Sequence, residues 1–97
     1  MIKYIVEFIG TFIFLSVILN VVGKSSMEAI AAIAIGLALS IAIFFGGDIS
    51  GGHFNPAVST MMAVKGSLSS ADYPPYVIAQ LLGGIAAWYF YKNARMA

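Results

Sequence analysis

The sequence predicts an all-α membrane protein: three transmembrane helices and one re-entrant half-helix, in a single domain over residues 1–97. Three observations carry this expectation. Hydrophobic residues make up 61% and charged residues 9% of the chain, with a mean hydropathy of +0.96, whereas soluble folds average roughly 25% charged. Three segments, about 2–22, 28–45 and 74–91, approach the ~20 apolar residues that a helix needs to cross a ~30 Å hydrocarbon core. Between the second and third lies Ser50-Gly51-Gly52-His53-Phe54-Asn55-Pro56-Ala57-Val58-Ser59, a glycine-rich break that opens a short apolar run.

Composition also excludes whole classes of function. A net charge of +1 gives no basis for a nucleic-acid partner; the environment it implies is membrane lipid. The chain has no cysteine, which removes disulfides, thiol chemistry and cysteine metal sites, and predicts resistance to thiol-reactive mercurials. It contains no Ser-His-Asp set, paired carboxylates or phosphate-binding loop. No enzyme, cofactor or metal site is expected.

Each element follows from local signals. Lys3 before an apolar run resembles the start of a signal peptide, but the run continues to Val22 and no small-residue cleavage pattern closes it, so a retained span is expected. The link Gly23-Lys24-Ser25-Ser26-Met27 is short and polar, which makes the first two spans antiparallel neighbours. Pro74 and Pro75 suit the first turn of the last helix, where their missing N–H groups leave no bond unmade. Trp88, Tyr89 and Tyr91 near its end fit an interfacial aromatic belt. Small residues recur every four positions, at Ala32, Gly36 and Ser40 and again at Ala79, Gly83 and Ala87, the pattern that lets helix backbones approach closely in a bilayer.

The region between the second and third spans is too long for a hairpin. Within it Pro56–Lys65 is a ten-residue apolar run stopped by Gly66, about 15 Å as a helix and so about half the hydrocarbon thickness. With the preceding loop it reads as a re-entrant segment over about 47–66. Irregular backbone at membrane depth survives only where protein buries it or water wets it, so the segment points to a pore.

The chemistry sits at the start of that half-helix. Asn55 before Pro56 is a strong N-cap, whose oxygen accepts from a first-turn N–H and whose NH₂ keeps two donors facing away. The half-helix N-terminus adds roughly +0.5 of an elementary charge. Together they hold a water or hydroxyl oxygen and repel a cation. Gly51, Gly52 and His53 have no helical partners for their carbonyls, which makes them the acceptor wall opposite Asn55. The His53 side chain is not expected to act as a ligand or a titrating gate. Met61 and Met62 read as packing.

Glu7 lies about one and a half turns inside the first span, where an acidic group costs on the order of 2.5–3.5 kcal/mol unless it faces protein. It can brace the exposed N–H groups of the re-entrant loop, or it can carry protons in coupled transport; the residues alone leave both open. Gln80 in the third span is a weaker case of the same kind, whose plain alternative is a helix–helix hydrogen bond.

These motifs resemble a known family. Ser50 to Val58 looks like the first NPA loop of the aquaporin and glycerol-facilitator family, Glu7-Phe8-Ile9-Gly10-Thr11-Phe12 like the opening of its first span, and Ala79-Gln80-Leu81-Leu82-Gly83-Gly84 like the start of its third. The resemblance implies a passive channel for water and small neutral solutes such as glycerol. Asn55 would be the pore asparagine, Pro56 and Ala57 the half-helix tip, Gly51, Gly52 and His53 the carbonyl wall, and Glu7 the brace. Ile35 falls near the position where the family's second span offers an aromatic to the selectivity filter, and that aromatic is missing.

The larger departure is that the chain resembles only the first half of the family's fold. The family carries two inverted halves, the second with an NPA followed by arginine; here Val58 follows the single NPA. Three spans and one half-helix cannot enclose a pore, so the expected partner is a second copy in inverted orientation, with assembly of several such pores as in the family's tetramers. In the family orientation Lys3 and Lys65 are cytoplasmic while Lys24, Lys92 and Arg95 are outside. That near balance is what insertion in both orientations requires. The alternatives are a split half-channel needing a complementary chain, and a small dual-topology proton-coupled transporter using Glu7. All three place the chain as a multi-pass integral membrane protein.

Overall fold

A computed structural model describes residues 1–22 and 28–96, which form four helices: α1 (Ile2–Val21), α2 (Glu28–Ser50), α3 (Pro56–Lys65) and α4 (Tyr73–Met96). The expected link at 23–27, with Lys24, lies outside the described residues. Among these helices α1 and α2 are long and apolar enough to cross a membrane. α4 has 24 residues, about 36 Å, but Gln80, Lys92, Asn93 and Arg95 make it more polar than the other two.

α1 is the middle element and packs against both α2 and α4. α1 and α4 run parallel. At one end Lys3 Nζ and Tyr4 Oη donate to the Asp72 carboxylate at 2.7 and 2.6 Å, and at the other Arg95 donates to Asn20. Between these ties Ala79, Gly83 and Ala87 are all buried. A methyl on Gly83 would lie 2.8 Å from the Phe8 carbonyl oxygen, so this small-residue strip is what brings the two backbones together. α2 runs antiparallel to α1 and closes on it at Gly46 and Ser50. The other strip does not act in the same way: Ala32, Gly36 and Ser40 are exposed, and a side chain on Gly36 would meet nothing within 4 Å.

The distribution of burial is inverted relative to a soluble core. Glu7 and Gln80 are 0% and 1% exposed, while Phe44 and Val64 are 80% and 86% exposed. Glu7, Gly10 and Thr11 form one face of α1, and Tyr76, Ala79, Gln80, Gly83 and Ala87 the matching face of α4. Polar groups thus turn inward and aliphatic ones outward, the arrangement suited to hydrocarbon as the solvent.

The helix ends depart from expectation in one informative place. α2 does not stop near Phe45 but continues through Gly46 and Gly47 to Ser50, and Gly51 N–H still donates to Gly47 O at 2.8 Å. Two helical glycines cost roughly 1 kcal/mol each relative to alanine, so sequence propensity places the break there. Packing overrides it: a methyl on Gly46 would lie 3.1 Å from Phe54 Cζ. The loop is therefore only residues 51–55. α4 likewise runs beyond Tyr91 to Met96.

Candidate functional site

The loop is built around Glu7. Its Oε2 accepts from Ser50 Oγ at 2.7 Å and from the His53 N–H at 3.0 Å. Its Oε1 accepts from the Phe54 N–H at 2.8 Å and from Gln80 Nε2 at 2.9 Å. An ionised carboxylate offers about four lone-pair sites, and all are used. One side chain on α1 thereby fixes the end of α2, two loop amides and α4.

A second tier surrounds it. Gln80 Nε2 also donates to Ser59 Oγ at 2.7 Å, and that hydroxyl lies 2.8 Å from His53 Nδ1. Ser59 Oγ accepts from Gln80, and it pairs with His53 Nδ1 as donor or acceptor according to the imidazole tautomer. Tyr76 Oη donates to Ser50 O at 2.7 Å, and the Gly52 N–H reaches Ser50 Oγ at 3.2 Å.

The turn needs left-handed backbone at three positions, with φ of +90° at Gly51, +66° at Gly52 and +52° at Phe54. Glycine adopts this freely. Phe54 does not, at a cost of roughly 1–2 kcal/mol, and two interactions hold it there. Its N–H is fixed by Glu7, and its ring is 2% exposed in a slot between α1 and α2. The slot exists because Gly10 and Gly46 lack side chains; a methyl on Gly10 would sit 2.1 Å from Phe54 Cε1.

Beyond Phe54 the chain enters α3 through Asn55. Asn55 Oδ1 accepts from the Ala57 N–H at 2.8 Å, with Pro56 in the first helical position. At the other end Gly66 closes the helix in the left-handed conformation, φ +92°. With Oδ1 engaged, the Asn55 amide orientation is set and its two N–H donors point elsewhere. Asn55 and Ala57 are exposed and Pro56 is half-buried. Among the described residues no donor reaches the carbonyls of Gly51, Gly52 or His53.

The structure thus gathers Glu7, Gln80, Gly51, Gly52, His53, Asn55, Pro56 and Ala57 around one turn. Ile35 is not among them. It sits sixteen residues before Gly51 on α2, about 24 Å of helix rise away, and joins no contact of the loop. Sequence reasoning missed Ser50, Ser59, Phe54, Tyr76 and the Gly10–Gly46 slot. Ser59 carried a usable signal, since a hydroxyl four residues after an N-cap lies one turn along the same helix face. Nothing local marks Phe54, whose role depends on glycines 44 residues before it and eight before it.

A polar interior, a carboxylate-held turn and an Asn-capped short helix are in place, and the family model described as Major intrinsic protein covers residues 1–97. The chain belongs to the major intrinsic protein family. Among relatives in that family, a glycerol uptake facilitator protein-like 6 from Lactiplantibacillus plantarum is 45% identical over 87 residues, covering 88% of this chain and 40% of that protein. Aquaporin-8 from Mus musculus is 44% identical over 84 residues, covering 84% of this chain and 32% of the relative. Aquaporin Z from Brucella melitensis is 52% identical over 56 residues, 58% of this chain and 25% of the relative. This major intrinsic protein chain therefore spans less than half the length of the curated relatives it matches. No solved structure matches it.

Proposed function

We propose that this chain forms half of a passive channel for water and small neutral solutes such as glycerol, and that two copies in opposite orientation complete one pore. In this reading α1, α2 and α4 are the three spans of each half and α3 is the re-entrant half-helix. The observation that carries it is the Glu7-held loop. It leaves the carbonyls of Gly51, Gly52 and His53 unpaired as acceptors and the Asn55 amide as a fixed donor at the positive end of a helix. Acceptors and donors beside one another suit a file of hydroxyl-bearing molecules, while the helix dipoles, aimed at the midplane from both sides, disfavour protons and cations.

The bracing of Glu7 also argues against proton coupling. A carrier carboxylate must take up and release a proton as it works. Here each oxygen already accepts two donors, so a proton on either would displace one of them. The inverted pair is supported by the near balance of cationic residues that the family orientation implies, Lys3 and Lys65 against Lys24, Lys92 and Arg95. With Val58 rather than arginine after Ala57, and aliphatic Ile35 on α2, the mouth selects loosely and accepts solutes larger than water.

Glycerol entry into proteoliposomes of the purified chain, followed by light scattering with and without an imposed pH gradient, tests this. A channel gives swelling that follows the glycerol gradient alone. Glycerol flux that accelerates when protons run inward, and disappears in Glu7→Gln, would assign a proton-coupled transporter instead.

A further inference from the structure

The ion pair that ties α1 to α4 stands at the head of an apolar groove. Lys3 Nζ and Tyr4 Oη donate to the Asp72 carboxylate at 2.7 and 2.6 Å. Beginning at Tyr4 and Pro74, the two helices leave an open groove of ≈ 510 Å³ between them, walled by Tyr4, Ile5 and Phe8 on α1 and by Pro75, Ile78 and Leu82 on α4. Ile5, Ile78 and Leu82 are exposed, and none of the six wall residues takes part in the hydrogen-bond network around Glu7. From Pro74 to Leu82 the groove follows α4 for about 12 Å, against roughly 15 Å of hydrocarbon in one leaflet. It has the depth of an acyl chain whose polar end lies at the ion pair.

Within a bilayer such a groove has little attraction of its own, because lipid tails are as apolar as the side chains that line it. Selectivity has to come from the head, where the charges are paired but not saturated. The Lys3 ammonium has three donors and gives one to Asp72, while the carboxylate has about four acceptor sites and uses two, for Lys3 and Tyr4. Both side chains remain accessible, at 38% and 20% exposure. A lone cation would favour any anionic headgroup. A cation and an anion 2.7 Å apart form a fixed dipole instead, and a fixed dipole complements a second one laid against it head to tail.

We propose that this groove and its ion pair form a phospholipid site selective for phosphatidylethanolamine. The phosphate accepts from the free Lys3 N–H groups, the ethanolamine ammonium donates to the free positions on Asp72, and one acyl chain lies along Ile5, Phe8, Ile78 and Leu82. Phosphatidylcholine carries the same charges, but its trimethylammonium has no N–H to donate. Phosphatidylglycerol has the phosphate but offers Asp72 only uncharged hydroxyls. The proposal rests on α1 and α4 being spans, as in the reading above, and not on how a pore is completed.

Native mass spectrometry of the purified chain in detergent, titrated with lipids of identical acyl chains, tests the site. The series from phosphatidylethanolamine through its mono- and dimethyl forms to phosphatidylcholine removes one N–H at each step. The first phosphatidylethanolamine is expected to bind about tenfold tighter than phosphatidylcholine or phosphatidylglycerol, the size of one charge-assisted hydrogen bond. Asp72→Asn should flatten the series, and Ile78→Trp, on an exposed face, should fill the groove and weaken phosphatidylethanolamine binding without loss of fold. Equal affinity along the series, tighter binding of phosphatidylglycerol, a series that Asp72→Asn leaves as steep, or Ile78→Trp binding like the wild type overturns the site. Liposome flotation after alkaline carbonate extraction separates this from the span reading. A chain that carbonate strips from the membrane overturns the spans and the site together, whereas an inserted chain with no headgroup preference overturns the site alone.

Discussion

Glu7 is a carboxylate placed where a carboxylate is expensive, and it is kept there by what it holds. Its two oxygens receive four donors from α2, the loop and α4, so replacing one oxygen by NH₂ leaves donors facing donors. Glu7→Gln is expected to cost about 2–5 kcal/mol, from lost bonds and an unpaired buried group, read as lower thermal stability of the purified protein. The Phe54 slot is the second single-residue constraint. Gly10→Ala puts a methyl 2.1 Å from the Phe54 ring, and overpacking of this kind typically costs about 1–3 kcal/mol. The same thermal assay should show the loss for Gly10→Ala and no loss, with a gain of up to about 1 kcal/mol from helix propensity, for Gly36→Ala, where no neighbour lies within 4 Å. The cap was legible in Asn-Pro, and Glu7 and Gln80 were marked as notable because each stands out against an apolar background, though the residues alone left the role of Glu7 open. Phe54 and Ser50 were not, because a phenylalanine in a membrane chain carries no contrast and a positive φ has no sequence signature outside glycine.

At the scale of elements, the long helices were legible from apolar run length, and the short helix α3 from Asn55, Pro56 and Gly66 at its ends. The C-terminus of α2 was not, since Gly46 and Gly47 look like a break and are helical for the sake of the packing around them. The two small-residue strips look alike in sequence, yet only the one on α4 meets a neighbour, because partner choice is a tertiary fact. The parallel pairing of α1 with α4 is tied at one end by Asp72, whose carboxyl is held below its ordinary range by the hydrogen bond from Lys3 and then by that from Tyr4. A lowered folded-state pKa contributes stability that is present above the ordinary carboxylate range and is lost as the pH falls through the lowered value. Thermal melts between pH 7 and pH 2 should therefore show a decline at the acid end that is smaller in Asp72→Asn, which starts less stable at neutral pH. Equal acid sensitivity in both proteins would remove Asp72 from that role.

The whole molecule presents a one-sided architecture. Three long helices and a short one organise a polar interior around a turn, and among the described residues that turn leaves the carbonyls of Gly51, Gly52 and His53 without a donor and the Asn55 side chain exposed. The chain belongs to the major intrinsic protein family and spans less than half the length of the relatives it matches, and the proposed inverted pair would complete a pore from this architecture. The most direct measurement is the osmotic water permeability of proteoliposomes that contain the purified chain and nothing else, followed by stopped-flow light scattering. A channel of this kind gives permeability well above that of empty liposomes, falling toward the lipid baseline in Glu7→Gln as the loop is released. Permeability of the wild-type chain equal to that of empty liposomes, in vesicles shown to hold folded protein, would contradict it.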